Sequence, residues 1–403
     1  MRPVVYIAIT NHGFGHAVRA ASVAAQIRKQ NPEILLIFAT KAPRWLLESY
    51  VGEDFIYRQR AFDVGVIQSD ALNMDREATL AAWQDIRQRQ NRIISSEVEF
   101  LHINRVGLIL ADIPPLVAPL AKAAGIPCWM MGNFGWDFIY RQWGGEFTEL
   151  ADWIGECFQQ CDRLFRLPFH EPMSAFPNIT DTGLTGGTPH YSPEILRQTF
   201  NITTPVEKTV LLSFGGLGLQ KIPYENLSKF PDWQFITFDQ NAPNFPNLLS
   251  ISAQESPDIP FHPNTDAKLL RPVDFMPLCG RVISKPGYST FAEAMRLQVP
   301  IVSLQREGFA ESPLLLQALR QHAYHQIVSP EEFMQNQLVV DEAEPSTVSD
   351  AEPWKFLRQP LFPPESTAPV STDGSEAIAS EVVQYLQKAT ASPTGTPQNS
   401  KNL

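Results

Sequence analysis

The segment Ile283 to Glu293, Ile-Ser-Lys-Pro-Gly-Tyr-Ser-Thr-Phe-Ala-Glu, constrains the fold more than any other. A short apolar strand, Arg281 to Ile283, runs into a Pro-Gly turn, and Ser289 and Thr290 stand where they can cap a helix through Glu293. The free backbone N–H groups of such a helix start form a site for an anion, typically a phosphate. About 270 residues upstream, Val4 to Thr10 runs in the same way into Asn11-His12-Gly13-Phe14-Gly15-His16. Two strand–glycine–helix junctions, one in each half, predict two open α/β domains facing each other across a cleft.

Length and charge agree with that reading. The chain has 403 residues, room for two domains. At 44% hydrophobic and 19% charged residues it suits a soluble globular protein with sizeable cores. A net charge of −11 without a dense Lys/Arg run argues against nucleic acid as a partner. No run of 18 apolar residues lacks a charge or a turn signal, so no transmembrane helix is expected. Met-Arg-Pro passes directly into a strand, without a signal-peptide pattern. Of the cysteines Cys128, Cys157, Cys161 and Cys279, only Cys157 and Cys161 are close, and no histidine accompanies them. They read as reduced thiols on a helix face, and the expected location is cytoplasmic.

Strands and helices alternate through the first half. Val4–Thr10, Ile34–Ala39, Val106–Ala111 and Pro127–Met131 are apolar strands; Ala17–Gln30, Arg76–Leu101 and Pro115–Ala124 have helical spacing. Pro189 to Pro205 reads as an interdomain connection. The pattern then restarts with strands at Thr209–Phe214, Gln234–Phe238, Arg281–Ile283 and Pro300–Leu304, and a weaker one within Asn264–Phe275. Asp341 to Pro369 is acidic and proline-rich and reads as an irregular loop; Gly374–Lys388 is an amphipathic helix. The expected division is residues 1–195, residues 205–388 and a polar, disordered tail 389–403.

Several residues invite chemical readings. The glycine turn before His16 is neither G-x-G-x-x-G nor a P-loop. His16, at a helix start, either caps the turn or accepts a proton from a hydroxyl. Asp112, ending the strand Val106–Ala111, either caps the next helix or orients His16. Glu293 either closes a capping box with Thr290 or accepts hydrogen bonds from a ribose. Gly215-Gly216 permit close approach of a ligand. Glu307 and Glu311 either hold sugar hydroxyls or lie in a solvated loop. The aromatic run Asn133 to Tyr140, with Trp143, is either an acceptor platform or packing. No Asp-x-Asp metal motif occurs.

Together these stretches resemble glycosyltransferases of the two-domain B-type fold, a group that includes the peptidoglycan N-acetylglucosaminyltransferase and the plant secondary-product glucosyltransferases. A narrower resemblance is to the N-terminal, glycosyltransferase-like region of plant L-arabinokinases. It rests on Asn-His-Gly-Phe-Gly-His-Ala-Val-Arg, Asn-Phe-Gly-Trp-Asp-Phe-Ile-Tyr, Arg166-Leu-Pro-Phe-His-Glu-Pro-Met, Ser213-Phe-Gly-Gly and Lys285-Pro-Gly-Tyr-Ser-Thr. The resemblance implies two Rossmann-like doubly wound domains, the first taking the acceptor and the second the donor. It implies an inverting, metal-independent hexosyltransferase using a nucleotide-diphosphate sugar, expected to be a UDP-sugar, with no further cofactor. His16 would be the base and Asp112 its partner. The donor set would be Gly15, Gly215, Gly216, Lys285, Gly287, Ser289 and Thr290 on the diphosphate side, Glu293 on the ribose, and Glu307 and Glu311 on the sugar. The acceptor would be a small molecule or a lipid-linked one met at a membrane surface. Lys285 and Pro286 depart from the Arg and Ala/Ser common at this turn, and the ATP loop of the kinase domain is absent from the sequence. The alternative is a nucleotide-sugar-binding or regulatory module without turnover. A third reading, a sugar-nucleotide 2-epimerase of the same fold, lacks its carboxylate clusters.

Overall fold

The computed structural model describes residues 2–68, 74–215, 222–253, 269–335 and 352–391. Its strands are β1 (Val4–Ile9), β2 (Leu35–Thr40), β3 (Ile56–Gln59), β4 (Leu108–Asp112), β5 (Cys128–Gly132), β6 (Arg163–Arg166), β7 (Ile179–Asp181), β8 (Thr209–Leu212), β9 (Gln234–Thr237), β10 (Leu248–Ser250), β11 (Arg281–Ser284), β12 (Ile301–Leu304) and β13 (His325–Val328). Its helices are α1 (Gly15–Gln30), α2 (Arg44–Val51), α3 (Arg76–Ile103), α4 (Val117–Ala124), α5 (Trp136–Trp143), α6 (Phe147–Phe158), α7 (Pro193–Thr199), α8 (Pro272–Phe275), α9 (Tyr288–Arg296), α10 (Glu311–His322), α11 (Pro330–Met334) and α12 (Gly374–Ala391). Among them no helix is long and apolar enough to cross a membrane.

Two parallel sheets result, in the orders β3-β2-β1-β4-β5-β6-β7 and β10-β9-β8-β11-β12-β13. Both are doubly wound, and each reverses direction beside its first strand, between β1 and β4 and between β8 and β11. The central strands form because near-continuous apolar runs can be covered on both faces. Val5, Ile7 and Ile9 face one core while Tyr6 and Ala8 face the other, the period-two alternation of a strand. Helix ends follow local chemistry. Asp75 caps α3 by accepting the Ala78 N–H at 2.9 Å, and α4 stops at Gly125 in the left-handed conformation.

The domain limits differ from the sequence expectation. The chain crosses to the second domain at residues 182–187, and α7, which lies inside the expected connection, packs on α8 of that domain. It crosses back beside the first passage. Leu184 donates its N–H to Ser371 (2.8 Å), and Gly374 donates to Leu184 (3.1 Å). A Cβ on Gly374 would run into the carbonyl oxygen of Gly183, so this closeness requires glycine. Helix α12 then packs along α1, burying Ile378, Val382, Val383 and Leu386 in the core of the first domain. Buried alanines of α1 (Ala17, Ala20, Ala21, Ala24) permit the close approach. Residues 374–388 therefore belong with residues 2–181 and not with the second domain.

Other expectations are refined. Among the described part of Asp341–Pro369, Trp354, Phe356 and Leu357 are buried under the second sheet; three large apolar side chains outweigh the acidic, proline-rich surroundings. Within Asn264–Phe275, the described residues carry α8 and no strand. Residues 389–391 continue α12, and residues 392–403 of the expected tail lie outside the described residues. The four cysteines are buried free thiols.

Candidate active site

In the first sheet β1 and β4 are neighbours, and Ile9 pairs with Asp112 at the end of the ladder. Beyond it the connections diverge, leaving a crevice at the carboxyl ends of the strands. The turn out of β1 is tight, with Gly13 at φ +57°. It delivers His16 into the first turn of α1, where Nδ1 lies 2.7 Å from Asp112 Oδ1. The buried carboxylate can only accept, so the ring donates through Nδ1–H and the lone pair resides on Nε2. Burial lowers the pKa of His16, with Asp112 opposing and Arg19 assisting that shift. Burial alone would raise the Asp112 carboxyl, but Arg19 and His16 beside it hold it below the usual range.

Asp63 secures this turn from the loop after β3. Its carboxylate accepts the Asn11 N–H at 2.7 Å and the Thr10 hydroxyl, while Trp136 Nε1 donates to Thr10 Oγ1 at 2.8 Å. Burial pushes Asp63 from 3.8 up to about 7. Between those values the folded protein keeps a proton that the unfolded chain releases. Stability contributed at low pH is therefore lost as pH rises through the window and stays level above it. Asp63→Asn is expected to remove this slope, about 1.4 kcal/mol per pH unit. Denaturant unfolding of both proteins at about pH 5 and about pH 8 reads the difference, and equal slopes would clear Asp63 of the titration.

The second sheet presents its own crevice opposite. Leu212 pairs with Ile283, and the connections beyond them carry Gly215 (φ +75°) and the Lys285–Gly287 turn into α9. The cap of α9 is Gly287, without a side-chain bond, so Ser289 and Thr290 do not cap it. The strand ends one residue later than expected, at Ser284, and the helix begins at Tyr288, ahead of Ser289 and Thr290. Ser289 instead donates across the cleft to the Gly15 carbonyl at 2.6 Å. The capping box of Thr290 and Glu293 is likewise absent. Glu293 accepts from the Gly187 N–H (2.9 Å) and from Tyr50 Oη (3.2 Å), two groups outside its helix. Burial raises Glu293 to about 6, against the pull of Gly187 and Arg271.

A cavity of about 620 Å³ lies between the domains, with Gly15 and Tyr50 on one wall and Gly215, Asp239, Thr290 and Glu293 on the other. From Gly15 and Thr290 a narrower pocket continues to His16, past Lys285, Gly287, Arg306 and Glu311. Of the residues singled out in the sequence, Gly15, His16, Gly215, Lys285, Gly287, Ser289, Thr290, Glu293 and Glu311 thus line two adjoining cavities, with Asp112 directly behind His16. Glu307 does not join them: it is exposed and lines neither space, because its loop turns it outward while Phe309 packs inward. Gly216 lies outside the described residues. The aromatic run is mostly core: Trp136 and Tyr140 are fully buried, and Phe134 alone of these rings lines the pocket.

Sequence reasoning overlooked Arg19 and Asn133. Arg19, nearly fully buried, grips Asp112 through Nε and Nη2 (Nη2–Oδ1 2.6 Å) and donates through Nη1 to Asn133 Oδ1 at 2.8 Å. Asn133 Nδ2 donates to Glu311 of the second domain at 2.7 Å. The available signal was a lone arginine three residues after His16, in a helix start otherwise made of small residues from Ala17 to Ala25.

No family model matches the chain. It is 29% identical over 313 residues to L-arabinokinase of Arabidopsis thaliana, covering 76% of this chain and 28% of that protein. The chain therefore spans little more than a quarter of the relative's length. Among solved structures, UGT89C1 of Arabidopsis thaliana complexed with UDP-L-rhamnose superposes with a TM-score of 0.54 at 14% identity, over 96% of this chain and 99% of the other. UGT71G1 of Medicago truncatula complexed with UDP-glucose gives 0.53 at 12% identity, over 96% and 98%. The shared architecture is the glycosyltransferase B fold.

Proposed function

We propose that the chain is a glycosyltransferase moving a hexose-type sugar from a UDP-sugar to a hydroxyl acceptor, with inversion and without a divalent metal. The observation that carries the reading is a histidine–aspartate pair at one sheet crevice whose histidine lines the same pocket as a glycine turn and helix start at the other. The bound UDP-L-rhamnose and UDP-glucose of the structural neighbours support the donor class. The donor diphosphate would lie on the first turn of α9, held by Gly215, Gly287, Ser289 and Thr290, with Lys285 and Gly15 alongside. Glu293 would accept from the ribose hydroxyls, and Glu311 would contact the sugar. His16 Nε2 takes the acceptor proton as the acceptor oxygen attacks the anomeric carbon from the face opposite the diphosphate. The bond to the diphosphate breaks, and the N–H groups of α9 and Lys285 stabilise the charge that leaves.

Calorimetric titration with UDP and a panel of UDP-sugars tests the donor site. Glu293→Gln is expected to weaken binding roughly 10- to 100-fold, since hydrogen bonds to a charged acceptor contribute about 1.5–3 kcal/mol. In the wild type, affinity should fall as pH drops below about 6 and the Glu293 carboxyl protonates, a dependence absent from Glu293→Gln. A folded wild type that binds no nucleotide sugar overturns the proposal.

A further inference from the structure

The guanidinium of Arg19 does more than fill the space behind His16. Its fork covers both oxygens of Asp112, and Nη2 stands 3.0 Å from His16 Nδ1. Since Nδ1 already donates its hydrogen to Asp112, that last approach sets two donors against each other and is a repulsive contact. Were Asp112 the one charge facing the ring, the buried carboxylate would draw a proton onto His16. The resulting imidazolium carries hydrogen on Nε2 and cannot accept another. With Asp112 already paired, a second positive charge 3.0 Å from Arg19 is disfavoured.

We propose that Arg19 is the positioning residue of this base: it locks Asp112 in place and keeps His16 neutral, with hydrogen on Nδ1 and Nε2 open to a proton. The lock is set from both domains. Arg19 donates to Asn133, Asn133 donates to Glu311 of α10, and the guanidinium lies 5.4 Å from the ring centre of Tyr288 in α9. The other ionisable groups around His16 are His12 from the turn after β1, Glu311 from α10, and Lys285 and Arg306 from the loops after β11 and β12. Glu311 alone among these favours protonation. The inference gives Arg19 its place in the transfer reading above, and its test needs neither donor nor acceptor.

The full chain, labelled with 15N-histidine, is titrated by NMR, and His16→Gln identifies the His16 signals. Wild-type His16 is expected to titrate below its ordinary value of about 6.5 and to be the neutral Nδ1–H tautomer above that value. Arg19→Gln is expected to raise the midpoint by about one unit or more. Arg19→Lys, which keeps the charge without the fork, should retain the wild-type midpoint. A wild-type midpoint at or above 6.5 overturns the inference even if Arg19→Gln fails to fold, and so does a folded Arg19→Gln whose midpoint is unmoved or lower. Absence of nucleotide-sugar binding would sink the transfer reading and leave this titration standing.

Discussion

A chain ending at residue 373 is expected to lose the first domain, although the deleted residues are nearly 200 positions downstream of it. Helix α12 buries Ile378, Val382, Val383 and Leu386 against α1 and the edge of the first core. Each large aliphatic side chain contributes about 1.5–3 kcal/mol on burial. Four of them contribute roughly 6–12 kcal/mol, comparable with the whole stability of an ordinary domain. The buried face of α1 would also be left exposed. Thermal unfolding and proteolysis of chains ending at 373 and at 391 provide the comparison. Equal melting of the two would show that α12 is an ornament and that the first domain closes its core alone.

His16→Ala should slow transfer steeply and spare the donor. General bases contribute roughly 10²- to 10⁴-fold, so kcat should fall by about that factor with the acceptor the wild type uses best. The donor Kd should stay within about threefold, because Glu293 and the α9 turn are untouched. Folding should survive, since His16 gives up one hydrogen bond and Asp112 keeps the fork of Arg19. If kcat falls by less than about tenfold, His16 is not the base. If nucleotide binding disappears from a folded variant, His16 belongs to the donor site instead.

The central strands were legible because Val4–Ile9 and Leu108–Ala111 are unbroken apolar runs, and such runs are strands only when covered on both faces. Short edge strands were not. Ile179–Asp181 is three residues long and mostly exposed, and nothing in its pattern separates it from a loop. His16 and Asp112 could be named because strand ends and glycine turns announce the crevice of a doubly wound sheet. Their pairing needed the register, which places Asp112 beside Ile9 across 103 positions of chain. Arg19 stayed hidden for the same reason: a buried arginine makes sense only with its partners, and Asp112 and Asn133 stand 93 and 114 residues away. Glu293 misled because a capping box is a local pattern, whereas its actual partners, Gly187 and Tyr50, come from elsewhere in the chain.

The return of α12 changes what the second domain is. With β1 and α12 both in the first domain, residues 188–370 are an insertion, entered and left at one doorway where Leu184 and Gly374 are joined by a 3.1 Å hydrogen bond. Leu386 packs against Gly107, whose N–H is given to Val4, so the last helix comes back to the first strand. Excising the insertion and splicing Gly183 to Gly374 through a short glycine loop would leave a continuous domain with a core on each face of its sheet. Anything tethered beyond residue 391 would ride on the half that holds His16, while the half that holds Glu293 is carried as a guest on two adjacent threads.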